Sequence, residues 1–488
     1  MCAALIGIDL GTTGCRSVVF DEGLNILGEE YIEYPLINIS ETEIEQDANL
    51  WWALTRQVVK NSVYNSNIDP SAIKGISMSS QGISFVPVDI NCEPLRNALS
   101  WLDTRAKSQV KQIGQCFCAE DIFRKTGKRI SEAYLLPKLL WLKQNEPEIY
   151  SKTYKFLMAL DFVTAKLCGR YITDHTMASG TIMYDITRQD WSEDILQQFG
   201  LERSKLPEIK WSGTAVGTLS KSVAQELGLG NDVTVSVGGQ DQKCAALGAG
   251  IQPDAATVSL GTATAITRKW GHPVIDPEMK IPCFSDLLRN SWVTEGVIGT
   301  SCVSFKWLKN TLFPDKSYRE LDLMAENRSE RVSDVLFYPF LAGTGTPNWY
   351  QDSKGVFYGI TLSTTSEEIV KSVLEGIAYQ IKSNIMLMES PLEPVNEIRL
   401  FGGGAKSEVW CRIIADITGK RVAIPFTPET ACAGAAILAG LGAGVYGSTE
   451  EASRQITITR EFYPDARMNR YYEEKFNEYI RMQHRIFQ

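Results

Sequence analysis

Histidine is scarce in this chain, three residues in 488. His175 has no second ligand or catalytic partner near it in sequence, so it reads as a capping or loop residue rather than a catalyst. Paired cysteines are missing as well. The eleven thiols are scattered from Cys2 to Cys432 without a CxxC pair, and Cys116 and Cys118 stand too close together for a zinc half-site. They read as reduced core thiols, which suits the cytosol. Basic residues are not in excess. Forty-nine Lys and Arg against 58 Asp and Glu leave a formal charge of −9, which argues against nucleic acid or an anionic membrane as a general partner. No apolar stretch reaches the roughly 18 residues of a membrane span. Met1 opens directly into a strand without a basic n-region or a long h-region, so no signal peptide is expected. What remains is an ordinary globular composition, 44% hydrophobic and 22% charged, over a length that suits two domains.

The chain is organised around Ile6 to Asp21. An apolar run of strand length ends in Asp9-Leu10, the turn Gly11-Thr12-Thr13-Gly14 follows, and a second apolar run begins. This is the pattern of a β-hairpin with a polar tip. Gly11 and Gly14 let backbone N–H groups approach a polyphosphate, Thr12 and Thr13 add hydroxyls, and Arg16 could reach a terminal phosphoryl group. Asp9 would hold a magnesium ion through water, because Mg²⁺ prefers oxygen ligands and keeps much of its hydration. The GxxxxGK[ST] spacing of a P-loop is absent. An ordinary Gly-rich turn would show the same local pattern. A second copy stands half a chain later, at Thr257 to Ala265, with Gly261 and Thr262 at its turn. Two such units from two halves of one chain could grip a nucleotide phosphate tail between domains.

Strands and helices alternate elsewhere, which points to α/β layering. Ile26 to Tyr34 reads as a strand ended by Pro35, and a helix follows with Asp47 or Asn49 as N-cap. Ile73 to Met78 is a strand leading to a polar tip, Ser79-Ser80-Gln81-Gly82. Trp101, Asp103 and Arg105 read either as a polyol clamp or as a strand-end salt bridge beside a core tryptophan. Lys138 to Glu146 has the pattern of an amphipathic helix ended by Pro147. After the apolar strand 233–237 come Gly238-Gly239-Gln240-Asp241-Gln242 and a small-residue helix, so Asp241 stands at a helix N-terminus, where it could simply be an N-cap. Ile369, Val370, Val373, Leu374, Ile377 and Ile381 form a buried helical stripe. Gly402 to Ser407 turns a strand into the helix beginning near Glu408. Tyr472, Phe476 and Tyr479 mark the core face of a C-terminal helix.

With its two hairpins, the W-x-D-x-R segment 101–105, the G-G-x-D segment 238–241 and the stretch from Gly355 to Glu375, nearly the whole chain resembles the FGGY carbohydrate kinases, within the larger class of actin-like ATPases. That resemblance implies an α/β fold of two actin-like, ribonuclease H-like domains with a central cleft, at residues 1–245 and 246–488. It implies ATP-dependent phosphorylation of a small sugar or polyol hydroxyl, with ATP and Mg²⁺ as cofactors and Asp241 as the base that takes the hydroxyl proton. The sugar pocket implied is Ser80, Gln81, Trp101, Asp103, Arg105, Asp241 and Gln242. The nucleotide groups implied are Thr12, Thr13, Arg16, Gly261, Thr262 and the adenosine loop Gly403, Gly404, Ala405 and Lys406, with Asp9 for the metal. Departures are visible: Ala133 and Leu135 in the first family signature, Thr344-Gly345 where the family has Glu-Arg, and Ser80-Gln81 where relatives carry Met-His or Arg-Glu. A ketopentose such as xylulose is the expected substrate, with gluconate, glycerol, a tetritol or another ketose as alternatives. The chain is expected to be cytoplasmic, without nucleic-acid or membrane partners; its oligomeric state is left open, a homodimer being one option. The rival readings are an actin-like ATPase that binds protein and a catalytically silent sugar-binding regulator. The first would call for a peptide-binding domain after the C-terminal helix, which is not expected here, and the second has no use for Asp9 and Asp241.

Overall fold

β1 (Ala4–Leu10) is apolar along nearly its whole length and buried on both faces, the pattern of a central strand. In the computed structural model, which describes residues 3–326, 332–350 and 352–487, it lies at the centre of a sheet. β1 pairs antiparallel with β2 (Gly14–Asp21), and β2 pairs antiparallel with β3 (Ile26–Glu33). On its other side β1 pairs parallel with β4 (Ile73–Ser80). β5 (Ala215–Thr218), β6 (Thr234–Ser236) and the two-residue β7 (Gly239–Gln240) complete the sheet in the order β5-β6-β4-β1-β2-β3, with β7 also on β4.

The same plan recurs in the second half of the chain. β8 (Ala255–Leu260) pairs antiparallel with β9 (Thr264–Trp270) and parallel with β11 (Glu397–Phe401). With β10 (Trp292–Ile298), β12 (Arg421–Pro425) and β13 (Ile458–Phe462) the order is β10-β9-β8-β11-β12-β13. The five strands β3-β2-β1-β4-β6 and β10-β9-β8-β11-β12 each show the 3-2-1-4-5 order of a ribonuclease H-like domain, so the chain has two actin-like halves.

Two compact units follow these sheets. The first comprises Met1–Gly250, Trp270–Val293 and Glu429–Ile456; the second comprises Ile251–Lys269, Thr294–Pro428 and Thr457–Gln488. Where the sequence suggests one cut after Ala245, the folded chain thus assigns two later segments to the first unit.

Helices cover the sheets. α1 (Ala48–Ser66) is capped by Asp47, whose side chain accepts from the Asn49 amide, and packs on β2 and β3. α2 (Leu135–Asn145) begins three residues before Lys138. Pro147 does not end it but opens the next short helix, Pro147–Lys152, at a first-turn position where no amide donor is needed. α3 (Asp241–Gly248) packs against α6 (Thr430–Gly442), and α6 also lies over β1 and β4. The two helices touch backbone to backbone: a Cβ on Gly434 would fall 1.9 Å from the Cys244 carbonyl oxygen, and one on Gly248 1.9 Å from that of Thr430. In the second unit, α4 (Ser366–Leu387) starts with a Thr365/Glu368 capping box. α5 (Glu408–Thr418) and α7 (Ala466–Phe487) pack around it; Tyr472, Phe476 and Tyr479 of α7 are buried, as their spacing predicts. No helix among the described residues is long and apolar enough to cross a membrane.

Candidate active site

In the first unit the β1–β2 turn has its carbonyls tied inward. The Gly14 carbonyl accepts from the Gly11 amide at 2.9 Å. The Tyr34 hydroxyl donates to the Gly11 carbonyl, the Gln46 side chain to that of Thr12 at 2.9 Å, and the Tyr34 amide to that of Thr13 at 2.9 Å. Peptide planarity sets the N–H groups of Thr12 and Thr13 opposite the preceding carbonyls, so they point away from the protein. Outward amides on a tight turn make an anion cradle.

Asp9 ends β1 in register with Arg16 on β2 and Ser79 on β4. It is half-buried, and its Oδ1 accepts from Ser79 Oγ at 2.7 Å. Burial pushes its carboxyl above the usual range, while the Ser79 hydrogen bond and the Arg16 charge pull it back. Among the described residues no three His, Cys, Asp or Glu side chains gather into a metal cage. A hard cation beside Asp9 would therefore draw its other ligands from phosphate and water, as magnesium does. Arg16 does not stand alone: its guanidinium lies between Glu29 and Glu429, each at 3.1 Å, and over the Tyr31 ring.

β4 runs two residues further than the sequence suggests, so Ser79 and Ser80 belong to the strand and the tip begins at Gln81. Ser80 and Gln81 are fully buried. Ser80 Oγ donates to the Gln81 carbonyl, and the Gln81 amide donates to the Leu10 carbonyl at 2.8 Å. The Gln81 side chain accepts from Ser84 Oγ at 3.2 Å and donates to the Tyr34 hydroxyl at 3.5 Å. Trp101, 39% exposed, is the open member of the 101–105 segment. Its indole N–H donates to Thr12 Oγ1 at 2.9 Å and its amide to Ser84 Oγ at 3.0 Å. Asp103 is fully buried and accepts from the Ile44 amide at 2.8 Å and from the Arg105 amide and Nε. Arg105 also donates to Glu45 at 3.0 Å and lies over the Trp141 ring. Asp103 and Arg105 form the strand-end ion pair and are turned inward, away from a clamp role, whereas Trp101 is open rather than a core residue.

Asp241 is the first residue of α3, one position inside the cap, which is Gln240. Its Oδ1 accepts from the Gln242 amide at 2.7 Å and from Gln240 Nε2. β7 sets Gly239 beside Ser79 and Gln240 beside Ser80. Asp9 on β1 and Ser80 on β4, with Gln81 and Asp241 each one residue past the ends of β4 and β7, therefore stand together at one end of the first sheet, with Gln242 half-buried in the next helical position. Tyr34, Ser84, Thr176 and Lys138 belong to this network and escaped the sequence reading. The signal for Lys138 is a lone cation inside the apolar run Leu135–Leu142. His175 is buried in the scaffold, stacked on Trp211 with Nδ1 at 2.7 Å from the Tyr184 hydroxyl.

The second unit presents its own turn. The Gly261 amide donates to the Ala263 carbonyl at 3.2 Å, while the Gly261 and Thr262 carbonyls accept from the amides of Cys302 and Ser301. Thr262 is exposed. The Gly402–Ser407 loop follows β11, which pairs with β8, so it lies at the same end of the second sheet. Gly402 adopts φ +93°, and a Cβ on Gly404 would strike the Leu260 side chain at 2.5 Å. Gly403 and Lys406 are exposed, and Ala405 is buried with its carbonyl accepting from Arg460.

Residues 4–248 match the N-terminal domain of the FGGY family of carbohydrate kinases, and residues 256–443 match its C-terminal domain. The xylulose kinase of Bacillus subtilis (strain 168) is 32% identical over 477 residues, 97% of this chain and 95% of that protein. Among solved structures, a xylulose kinase from Brucella ovis shares a TM-score of 0.91 at 26% identity, with 98% of both chains covered. Plasmodium falciparum glycerol kinase with ADP shares a TM-score of 0.89 at 25% identity, covering 99% of this chain and 98% of that one.

Proposed function

The chain belongs to the FGGY family of carbohydrate kinases, and from that premise we propose that it transfers the γ-phosphoryl group of ATP to a hydroxyl of a ketopentose such as xylulose, with Asp241 as general base. The observation that carries this reading is the meeting of Asp9, Ser80, Gln81 and Asp241 at one end of one sheet, where β4 gives way to Gln81 and β7 to the helix that Asp241 opens. The similarity to the Bacillus subtilis xylulose kinase supports the sugar.

Phosphoryl transfer asks mainly for positioning and charge neutralisation. Asp241 takes the proton of the attacking hydroxyl. Trp101 covers one face of the sugar, Gln242 offers hydrogen bonds, Ser80 and Gln81 form the floor, and the Asp103–Arg105 pair braces the Trp101 loop. The outward amides of Thr12 and Thr13 hold phosphate oxygens, and Arg16 turns from its two glutamates to a phosphoryl group. Gly261, Thr262 and the loop Gly403, Gly404, Ala405 and Lys406 hold the rest of the nucleotide. Asp9 holds magnesium, which neutralises phosphate charge when bound.

The test is ATP consumption with Mg²⁺ against ketopentoses, polyols and aldonic acids, with wild type and Asp241→Asn. One sugar should strongly stimulate ADP release, and Asp241→Asn should lose at least about a hundredfold in turnover while sugar binding is kept. ADP release indifferent to every sugar, or turnover retained in Asp241→Asn, would refute the reading.

A further inference from the structure

A buried acceptor without a donor sits beside Asp241. Gln240 Nε2 donates to Asp241 Oδ1, and its backbone amide donates to Thr176 Oγ1 at 2.8 Å. A carboxylate only accepts, so the amide nitrogen is the end that faces Asp241 and Oε1 is turned the other way. Gln240 Oε1 is shielded from solvent, and no donor among the described residues reaches it. An unmet buried carbonyl destabilises the ligand-free protein, and native structures hold few of them.

The surroundings say what could meet it. The Gln240 side chain lies against Gly82, where an added Cβ would come 3.4 Å from its Cγ and 3.6 Å from its Nε2. Its amide therefore occupies the space between the Ser80-Gln81-Gly82 segment and Asp241. The mounting is rigid: Thr176 is buried, and the amides of Thr176 and Met177 donate to buried Asp174 at 2.8 and 3.0 Å.

Resting on Asp241 as the base, we propose that Gln240 is a specificity-determining residue whose Oε1 accepts a hydrogen bond from the substrate hydroxyl next to the reacting one, while Nε2 orients the Asp241 carboxylate. Neither Oε1 nor the Asp241 carboxylate has a proton to give, so a substrate group that meets either of them must bring its own. The site selects a neutral polyhydroxy compound with a free vicinal hydroxyl there, and rejects a carbonyl or carboxylate, which brings no proton.

The experiment measures kcat and KM for D-xylulose and its monodeoxy analogues with wild type, Gln240→Leu, Gln240→Met and Asp241→Asn, each checked for folding by thermal unfolding. Wild type should disfavour one analogue by about ten- to a hundredfold in kcat/KM, the worth of one lost hydrogen bond to a buried acceptor. In the Gln240 variant that folds as wild type does, that ratio should fall to about threefold or less. The KM for D-xylulose should rise about tenfold while the KM for ATP is unchanged. The same analogue ratio in wild type and variant would overturn the inference and leave Oε1 to a bound water, even with Asp241→Asn inactive. Turnover retained in Asp241→Asn would overturn the base assignment itself. Wild type inert toward D-xylulose would overturn the ketopentose reading and this inference with it.

Discussion

Lys138 carries a prediction that separates stability from catalysis. It is fully buried in α2, and its Nζ donates to the carbonyls of Ser100 at 2.6 Å and Ala133 at 2.9 Å, so it holds the backbone immediately before Trp101. Burial brings its ammonium down from 10.5 to about 7, with Arg105 pushing the same way and Asp103 and Glu132 opposing. In the unfolded chain the lysine keeps its proton to about 10.4. Between pH 7 and that value unfolding takes up a proton, so this group makes stability rise with pH by about 1.4 kcal/mol per unit. Below pH 7 both states are protonated and the slope from this group vanishes. Lys138→Met keeps the length of the side chain but removes the titration. The unfolding free energy of wild type minus that of the variant should therefore grow by roughly 2 kcal/mol from pH 7 to 9. Urea unfolding at pH 6, 7, 8 and 9, followed by tryptophan fluorescence, measures it. A difference that stays constant with pH would refute a lysine driven toward neutrality by burial.

Two further outcomes follow from close contacts. Gly434→Ala places a methyl group against the Cys244 carbonyl, so α3 must shift; a loss of about 1–3 kcal/mol is expected in urea unfolding, with a fall in kcat because Asp241 opens that helix. Little change in either would mean the helices have room to separate. Thr12→Val and Trp101→Phe break one hydrogen bond from its two ends, so a double-mutant cycle on the KM for ATP should give a coupling of about 0.5–1.5 kcal/mol. Strict additivity would show that the indole does not fix the threonine.

Local chemistry was legible in the chain, and contacts between distant segments were not. Both hairpins and the apolar stripe of α4 stand where turn residues and periodicity place them, and of the two candidate caps for α1 the structure uses Asp47, because each is decided within a few residues. The position of Asp241 was off by one: a short strand, Gly239–Gln240, pairs with β4 and makes Gln240 the cap. Asp103 and Arg105 looked like a ligand clamp because an acid and a base two residues apart suit either role. Only the Ile44 amide and Glu45, some sixty residues away, show the pair turned inward. Lys138 stands out only as a lone cation in an apolar run, and nothing in its neighbours names the distant Ser100 carbonyl that it meets. The membership of Glu429–Ile456 in the first unit rests on the packing of α6 over β1 and β4, a contact spanning most of the chain.

The two hairpins share one backbone plan but not one chemistry, and the difference assigns their work. Asp9-Leu10-Gly11-Thr12 corresponds to Ser259-Leu260-Gly261-Thr262, and in each copy the glycine amide closes the turn on a carbonyl just beyond it. At the strand end the first copy pairs Asp9 with Arg16, whereas the second pairs Ser259 with Ala265. Backbone donors suffice to hold a phosphate chain, but a hard cation needs a charged oxygen ligand, and a transferring phosphoryl group needs charge near it. Only the first copy supplies both. Asp9 and Asp241 also belong to that half, Asp9 on β1 beside β4 and Asp241 directly after β7 on its other side. The second copy, flanked by the side-chain-poor Gly402–Gly404 turn, carries no charge at its strand end. Under the proposed function, the copy that carries charges at its strand end is the one that would serve the reaction, and the neutral copy would serve binding.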